Sequence, residues 1–429
     1  MLRTAKSPSY GDRILIVGTG AAGLAAAEEL RRLNYTGEIT MLGGEKDAPY
    51  DRPACSKALL NGHARPQDVK LPIPPGLGLN WKLGRRAIDL DPVTRRVWAD
   101  SGETFDYDGL IVATGGRAVL PKGFPENASG LYPLYTVDHA WAVRHELRDA
   151  ERVAIVGGGL TGCEVACTVT QLAREAVIID SKNHVMDRAV GQTAGELIRD
   201  DHLHHGIEMK LNSRVSGVEE KRGRWRLALN DGTYVTADLV VVTAGERPDS
   251  AWLENSGFDV SDGILCDESL RVVGGDGSVV AAGGVARWPN LRYSEKPGRT
   301  GQWIGSIEQG QAAAYALLAG PETELPPMTV LPRFWSQQNS LRLQVCGQIG
   351  GPNDEMELTE MRPRRKDTAN AGVVVSYFTE GRLSGVVAVN APHGFTQVTR
   401  TLLAIPPELA RKKSSGASVT QIRRLARVS

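Results

Sequence analysis

The chain has 429 residues, too many for one ordinary hydrophobic core, so two or three domains are expected. Its 50 basic and 50 acidic residues cancel, which argues against a globally basic nucleic-acid binder. No apolar run approaches the ~18 residues of a membrane span, and Met1–Asp12 lacks the apolar segment of a secretory signal. The five cysteines form no Cys-x-x-Cys pair, which reads as reduced thiols in a cytoplasmic protein.

Along the chain, Arg13–Val17 is a short apolar strand running into Gly18-Thr19-Gly20-Ala21-Ala22-Gly23. An Ala-rich helix is expected from there to about Leu33, then a strand over Glu38–Leu42. Leu110–Ala113 is a further strand, ending on Thr114-Gly115. The opening pattern then recurs: strand Arg152–Val156, turn Gly157-Gly158-Gly159-Leu160-Thr161-Gly162, helix to about Leu172, strand Ala176–Ile179. Strands over Leu239–Thr243 and Ser278–Ala282 precede Ala244-Gly245 and Gly283-Gly284. After Gly320, β-type runs at Leu341–Cys346, Gly372–Phe378 and Leu383–Val389 suggest a separate α+β domain. The basic tail from Arg411 reads as a mobile end.

Two G-x-G-x-x-G turns, each in strand–turn–helix context, point to two dinucleotides. In the first, Gly18 makes the tight turn, Gly20 admits a pyrophosphate and Gly23 lets helix and strand pack closely; Thr19 and Ala22 line the same turn. Gly157, Gly159 and Gly162 repeat these roles. Each diphosphate would sit at a helix N-terminus, where free N–H groups and the helix dipole favour negative charge. An acid at the end of the next strand should take the adenosine ribose: Asp180 in the second unit, which favours NADH over NADPH, and Glu45 in the first.

Four further segments carry a resemblance. Pro49-Tyr50-Asp51-Arg52-Pro53-Ala54-Cys55-Ser56-Lys57, Ala113-Thr114-Gly115, Gly245-Glu246-Arg247-Pro248-Asp249 and Phe334-Trp335-Ser336-Gln337-Gln338 come in a definite order and spacing. In these the chain resembles the ferredoxin-reductase branch of the pyridine nucleotide–disulfide oxidoreductases, from about Asp12 to Leu403. The resemblance implies an α/β fold with two Rossmann-like dinucleotide-binding domains of the glutathione-reductase type plus a C-terminal α+β domain. An FAD domain would be split over 12–120 and 248–325, around an NAD domain at 121–247. A C-terminal reductase domain at 326–410 and a basic tail at 411–429 would follow.

It further implies FAD and NADH as cofactors, and an iron–sulfur ferredoxin as acceptor, serving an oxygenase, in a monomer or homodimer without a metal. Lys57 and Glu164 would be catalytic, Lys57 by the flavin and Glu164 facing the nicotinamide. Arg52, Ala87, Ala113, Thr114, Gly115, Gly245, Gly283, Gly284, Trp303 and Trp335 would join the cofactor contacts. Plainer readings stand beside these: a surface lysine at 57, a first-turn glutamate at 164 and a core tryptophan at 335.

The chain departs from that family at four places where an acid is usual: Gly44, Gly284, Gly301 and Gln337. Each charged hydrogen bond lost would weaken flavin binding by about 1.5–3 kcal/mol. Two other functions therefore stay open: a single-cysteine peroxide or disulfide reductase using Cys55, and a degenerate member with weak or no flavin. Cys163 and Cys167, at i and i+4, read as packing residues. His202, His204 and His205 read as a solvated helix end rather than a metal site.

Overall fold

The computed structural model describes residues 11–126, 128–349, 355–361 and 372–405; the tail from Arg411 lies outside them. These residues form two compact units. One contains the described residues up to Asp51 with Lys70–Arg117 and Arg247–Pro332; the other contains Arg52–Val69, Ala118–Glu246 and the described residues from Arg333 onward.

The first unit is built on a five-stranded parallel sheet in the order Val279–Ala281, Gly109–Val112, Arg13–Val17, Glu38–Gly43, Leu79–Leu83. Its central strands are nearly continuous Ile, Leu and Val, as a sheet covered on both faces requires. Helix Ala21–Arg32 follows the first strand, and helix Trp303–Ala319 lies against it. The approach is close: a Cβ on Gly310 would lie 2.2 Å from the Ala22 carbonyl oxygen. A three-stranded antiparallel sheet, Ala87–Asp91, Arg96–Ala99 and Thr104–Asp106, adds Leu90 and Val97 to the same core.

The second unit repeats the plan. Its parallel sheet runs Glu208–Lys210, Glu175–Ile179, Arg152–Val156, Leu239–Val242, Leu131–Pro133. Helix Leu160–Gln171 follows the central strand, Arg152–Val156. An antiparallel ribbon of Val215–Lys221, Arg224–Leu229 and Tyr234–Ala237 buries Trp225, Leu227 and Val235 in its core. The C-terminal segment forms an antiparallel sheet in the order Arg333–Gln338, Leu341–Gly347, Arg382–Val389, Gly372–Thr379, Glu355–Met361, with helix Pro392–Ala404 beside it.

Among the described residues no helix is long and apolar enough to cross a membrane. All five cysteines are free and buried.

Candidate functional site

The first glycine turn is shaped by backbone crowding. Gly18 holds a φ of +116°, and a Cβ there would lie 2.1 Å from the Ala113 carbonyl oxygen. A Cβ on Gly23 would lie 1.9 Å from the Gly18 carbonyl oxygen, so only glycine lets the helix sit this close to the strand. At Gly20 nothing stands within 4 Å of the Cβ position. That residue caps Ala21–Arg32 without a side-chain hydrogen bond, and no acid occupies the first helical turn. The helix amides therefore open onto an unobstructed cradle that fits a diphosphate.

The second turn is a near copy. Gly157 has φ +114°, a Cβ on Gly162 would lie 1.9 Å from the Gly157 carbonyl oxygen, and the Cβ position of Gly159 is open. Gly159 also caps its helix with no side-chain bond and no acid in the first turn. The backbone bonds match: Gly18 N–H donates to Leu42 O and Gly157 N–H to Ile179 O, both at 2.8 Å.

The copies differ in one reciprocal pair. Register places Gly43 after Leu42 where Asp180 follows Ile179. In the second turn Asp180 Oδ2 accepts from Gly158 N–H (2.5 Å) and Oδ1 from Lys182 N–H (2.8 Å). Those bonds fix the carboxylate with lone pairs remaining for ribose hydroxyls. In the first turn Thr19 stands where Gly158 does, and a Cβ on Gly43 would lie 2.5 Å from Thr19 Oγ1. The room a side chain takes at the strand end in one copy is taken by the turn in the other.

The other first-unit candidates surround this turn or lie apart from it as follows. Glu45 Oε2 accepts from Tyr50 OH at 2.6 Å. Ala113 N–H donates to Val17 O (2.7 Å), Thr114 Oγ1 to Asp249 O (2.7 Å), and Gly115 O accepts from Asp249 N–H (3.0 Å). Ala87 is buried at the start of its strand, and Trp303 opens helix Trp303–Ala319. Gly283, at φ +77°, donates its N–H to the fully buried Gln309 Oε1 (2.8 Å). Gly284 O accepts from Arg299 Nη1 (3.1 Å), and a Cβ on Gly44 would stand 3.3 Å from Arg86 Nη2. Arginines thus reach two of the positions that lack an acid.

In the second unit the structure brings Lys57 and Glu164 together: Nζ lies 2.8 Å from Oε2. Glu164 is 3% exposed and is the fifth residue of its helix, past the first turn, so its place reflects these partners rather than the helix dipole. Ser56 Oγ donates to Oε2 (2.5 Å) and Ser336 Oγ to Oε1 (2.6 Å). Arg52 Nη1 donates to Tyr135 O (2.8 Å), with its guanidinium carbon 4.8 Å from the Tyr135 ring centroid. Trp335 is 64% exposed, so it is not a core tryptophan; Ser336 and Gln338 alternate to the buried side of the strand. Gly245 takes φ +118°.

Sequence reasoning missed Ser56, Ser336 and Gln338, although the two serines adjoin Lys57 and Trp335. Isolated serines carry no pattern that marks a carboxylate partner. The histidine reading needs correction. His202 is fully buried on the inner side of helix Asp187–His204, with Nε2 3.6 Å from Cys167 Sγ. Burial drives its pKa down to about 4 and pushes the Cys167 thiol up to about 12. Only one side of a helix end faces water: His202 is buried, while His204 and His205 are exposed.

The sequence model of the pyridine nucleotide-disulphide oxidoreductases matches residues 12–314, and that of the reductase C-terminal domain matches 333–420. The benzene 1,2-dioxygenase system ferredoxin–NAD(+) reductase subunit of Pseudomonas putida is 28% identical, over 92% of this chain and 94% of its own. The biphenyl dioxygenase system ferredoxin–NAD(+) reductase component of Paraburkholderia xenovorans is 30% identical, over 91% and 92%. Among solved structures, putidaredoxin reductase in its covalent complex with putidaredoxin gives a TM-score of 0.83 at 25% identity, covering 98% of this chain and 100% of that one.

Proposed function

Because this chain belongs to the pyridine nucleotide-disulphide oxidoreductase family, as an FAD-dependent, NADH-oxidising ferredoxin-reductase-like enzyme, we propose that it delivers electrons to an iron–sulfur ferredoxin that serves an oxygenase. The observation that carries the reading is the pair of open, uncapped glycine turns, each able to take one dinucleotide diphosphate. The first would hold FAD through Gly18, Thr19, Gly20, Ala22 and Gly23, with Glu45, Ala87, Ala113, Thr114, Gly115, Gly283, Gly284 and Trp303. The second would hold NADH through Gly157, Gly159, Gly162, Asp180 and Gly245. Bound FAD would supply the conversion of a two-electron donor to single-electron delivery, which no side chain performs.

The chain's own groups do the rest. Asp180 presents two fixed carboxylate oxygens to the ribose hydroxyls of NADH and repels a 2′-phosphate. Lys57 and Arg52 would be the flavin-side cations and Trp335 the aromatic beside the ring, as the family resemblance implies, and Glu164 would face the nicotinamide. We assign 12–120 and 248–325 to the FAD domain, 121–247 to the NAD domain and 326–410 to the C-terminal domain. A reducing cytoplasm suits five free cysteines.

A single-cysteine reductase would rest on Cys55, which is 5% exposed. Thiol alkylation separates the two chemistries. Anaerobic protein with NADH and an iron–sulfur ferredoxin should bleach the ferredoxin absorption at the same rate before and after alkylation. Failure to reduce any ferredoxin, with alkylation-sensitive peroxide turnover, would contradict the proposal.

A further inference from the structure

We propose that Ser336 is a positioning residue for NADH: its hydroxyl fixes the Glu164 carboxylate so that the last open acceptor position, on Oε1, faces the nicotinamide carboxamide. The inference rests on the reading that Glu164 faces the nicotinamide. A carboxylate offers about four acceptor positions, two on each oxygen. Oε2 uses both of its own, on Ser56 Oγ (2.5 Å) and Lys57 Nζ (2.8 Å). Oε1 uses one, on Ser336 Oγ (2.6 Å). One acceptor remains, and it lies on the oxygen that Ser336 holds.

Lys57 and Ser56 both grip Oε2 and leave Oε1 without a bond from either. Ser336 holds the carboxylate by its second oxygen, so the planar group is fixed at both ends. It is buried on strand Arg333–Gln338, paired through Leu343 of the next strand, and therefore has a fixed origin. Its single proton is also directed. The Gln338 amide donates to Ser336 Oγ (3.2 Å), which leaves the hydroxyl proton for Glu164 and polarises it. Ser56 is seated from the other side, where Thr168 Oγ1, one helical turn beyond Glu164, donates to the Ser56 carbonyl (3.3 Å). The C-terminal sheet thus reaches Glu164 through the Ser336 hydroxyl.

The test is a double-mutant cycle read by calorimetric NAD+ binding and by the rate at which NADH bleaches the flavin. Ser336→Ala should weaken NAD+ and slow bleaching, each by about tenfold, the worth of one charge-assisted hydrogen bond at the low end. Ser336→Thr, which keeps the hydroxyl, should recover both to within about twofold, which separates positioning from a folding defect. Glu164→Ala should weaken NAD+ at least as much, and adding Ser336→Ala to it should change nothing further. A Ser336→Ala effect that persists in the Glu164→Ala background overturns the positioning role. So does wild-type behaviour of Ser336→Ala while Glu164→Ala is impaired. If Glu164→Ala itself binds NAD+ and bleaches normally, the reading of Glu164 fails first and this one with it.

Discussion

The two glycine turns are built alike and finished differently. In both, a positive-φ glycine, a packing glycine and an uncapped helix arise from the same crowding: a Cβ at Gly23 or Gly162 meets a carbonyl oxygen at 1.9 Å. Those features follow from bringing a strand, a tight turn and a helix together, whatever is bound. The finish is specific. The second turn spends its space on Asp180, with Gly158 making room; the first spends it on Thr19, with Gly43 making room. Shared geometry therefore reports the common strand–turn–helix plan, while the exchanged pair is what distinguishes one turn from the other.

The largest effect should come from what the turns share. In flavin-free protein, Gly23→Ala or Gly162→Ala should destabilise the fold by about 3 kcal/mol or more, since backbone must move; Gly20→Ala and Gly159→Ala, with open Cβ positions, should leave the melting temperature of the flavin-free protein within about 1 °C of wild type. Thermal melts of the four variants would break the comparison if the pairs did not separate. A second effect is confined to the second unit. His202 titrates near 6.5 when unfolded but is held down to about 4 when folded, so its contribution is present above pH 6.5 and is lost as pH falls toward 4. Between those values wild type should lose about 3 kcal/mol, and His202→Gln should show a flatter pH profile in urea titrations.

Next comes the finish itself. Asp180→Ala removes the acceptor for the ribose hydroxyls and should raise KM for NADH about 30-fold while narrowing the preference over NADPH, measured by steady-state kinetics with both. The smallest effect sharpens the reciprocity. Gly43→Asp should cost about 1–2 kcal/mol against Thr19, and Thr19→Gly added to it should restore most of that in the same melts. Additive losses would mean that the two positions do not compete for space.

Much of this was legible in the sequence because it rests on local rules. The strand Arg13–Val17, the turn and the helix Ala21–Arg32 were visible from apolar runs and glycine spacing, and so was their copy at Arg152–Gln171. The pairing of Lys57 with Glu164 is different. It joins residues 107 apart, and the two residues became candidates only through a family resemblance. Ser336 and Gln338 were invisible, because strand alternation says which side chains turn inward but not which carboxylate they meet. His202 failed for the same reason: a polar run at a helix end looks solvated until another helix, here through Cys167, covers one side.

The central claim is that the first turn holds FAD and the second NADH. It is tested most directly by the visible spectrum of three purified proteins under anaerobic conditions. Wild type should show flavin absorption that NADH bleaches. Gly159→Ala should keep the colour but need more NADH to bleach it, and Gly20→Ala should lose the colour. A Gly20→Ala protein that keeps its flavin yet no longer responds to NADH would reverse the assignment. A wild type that stays colourless in added FAD would contradict it.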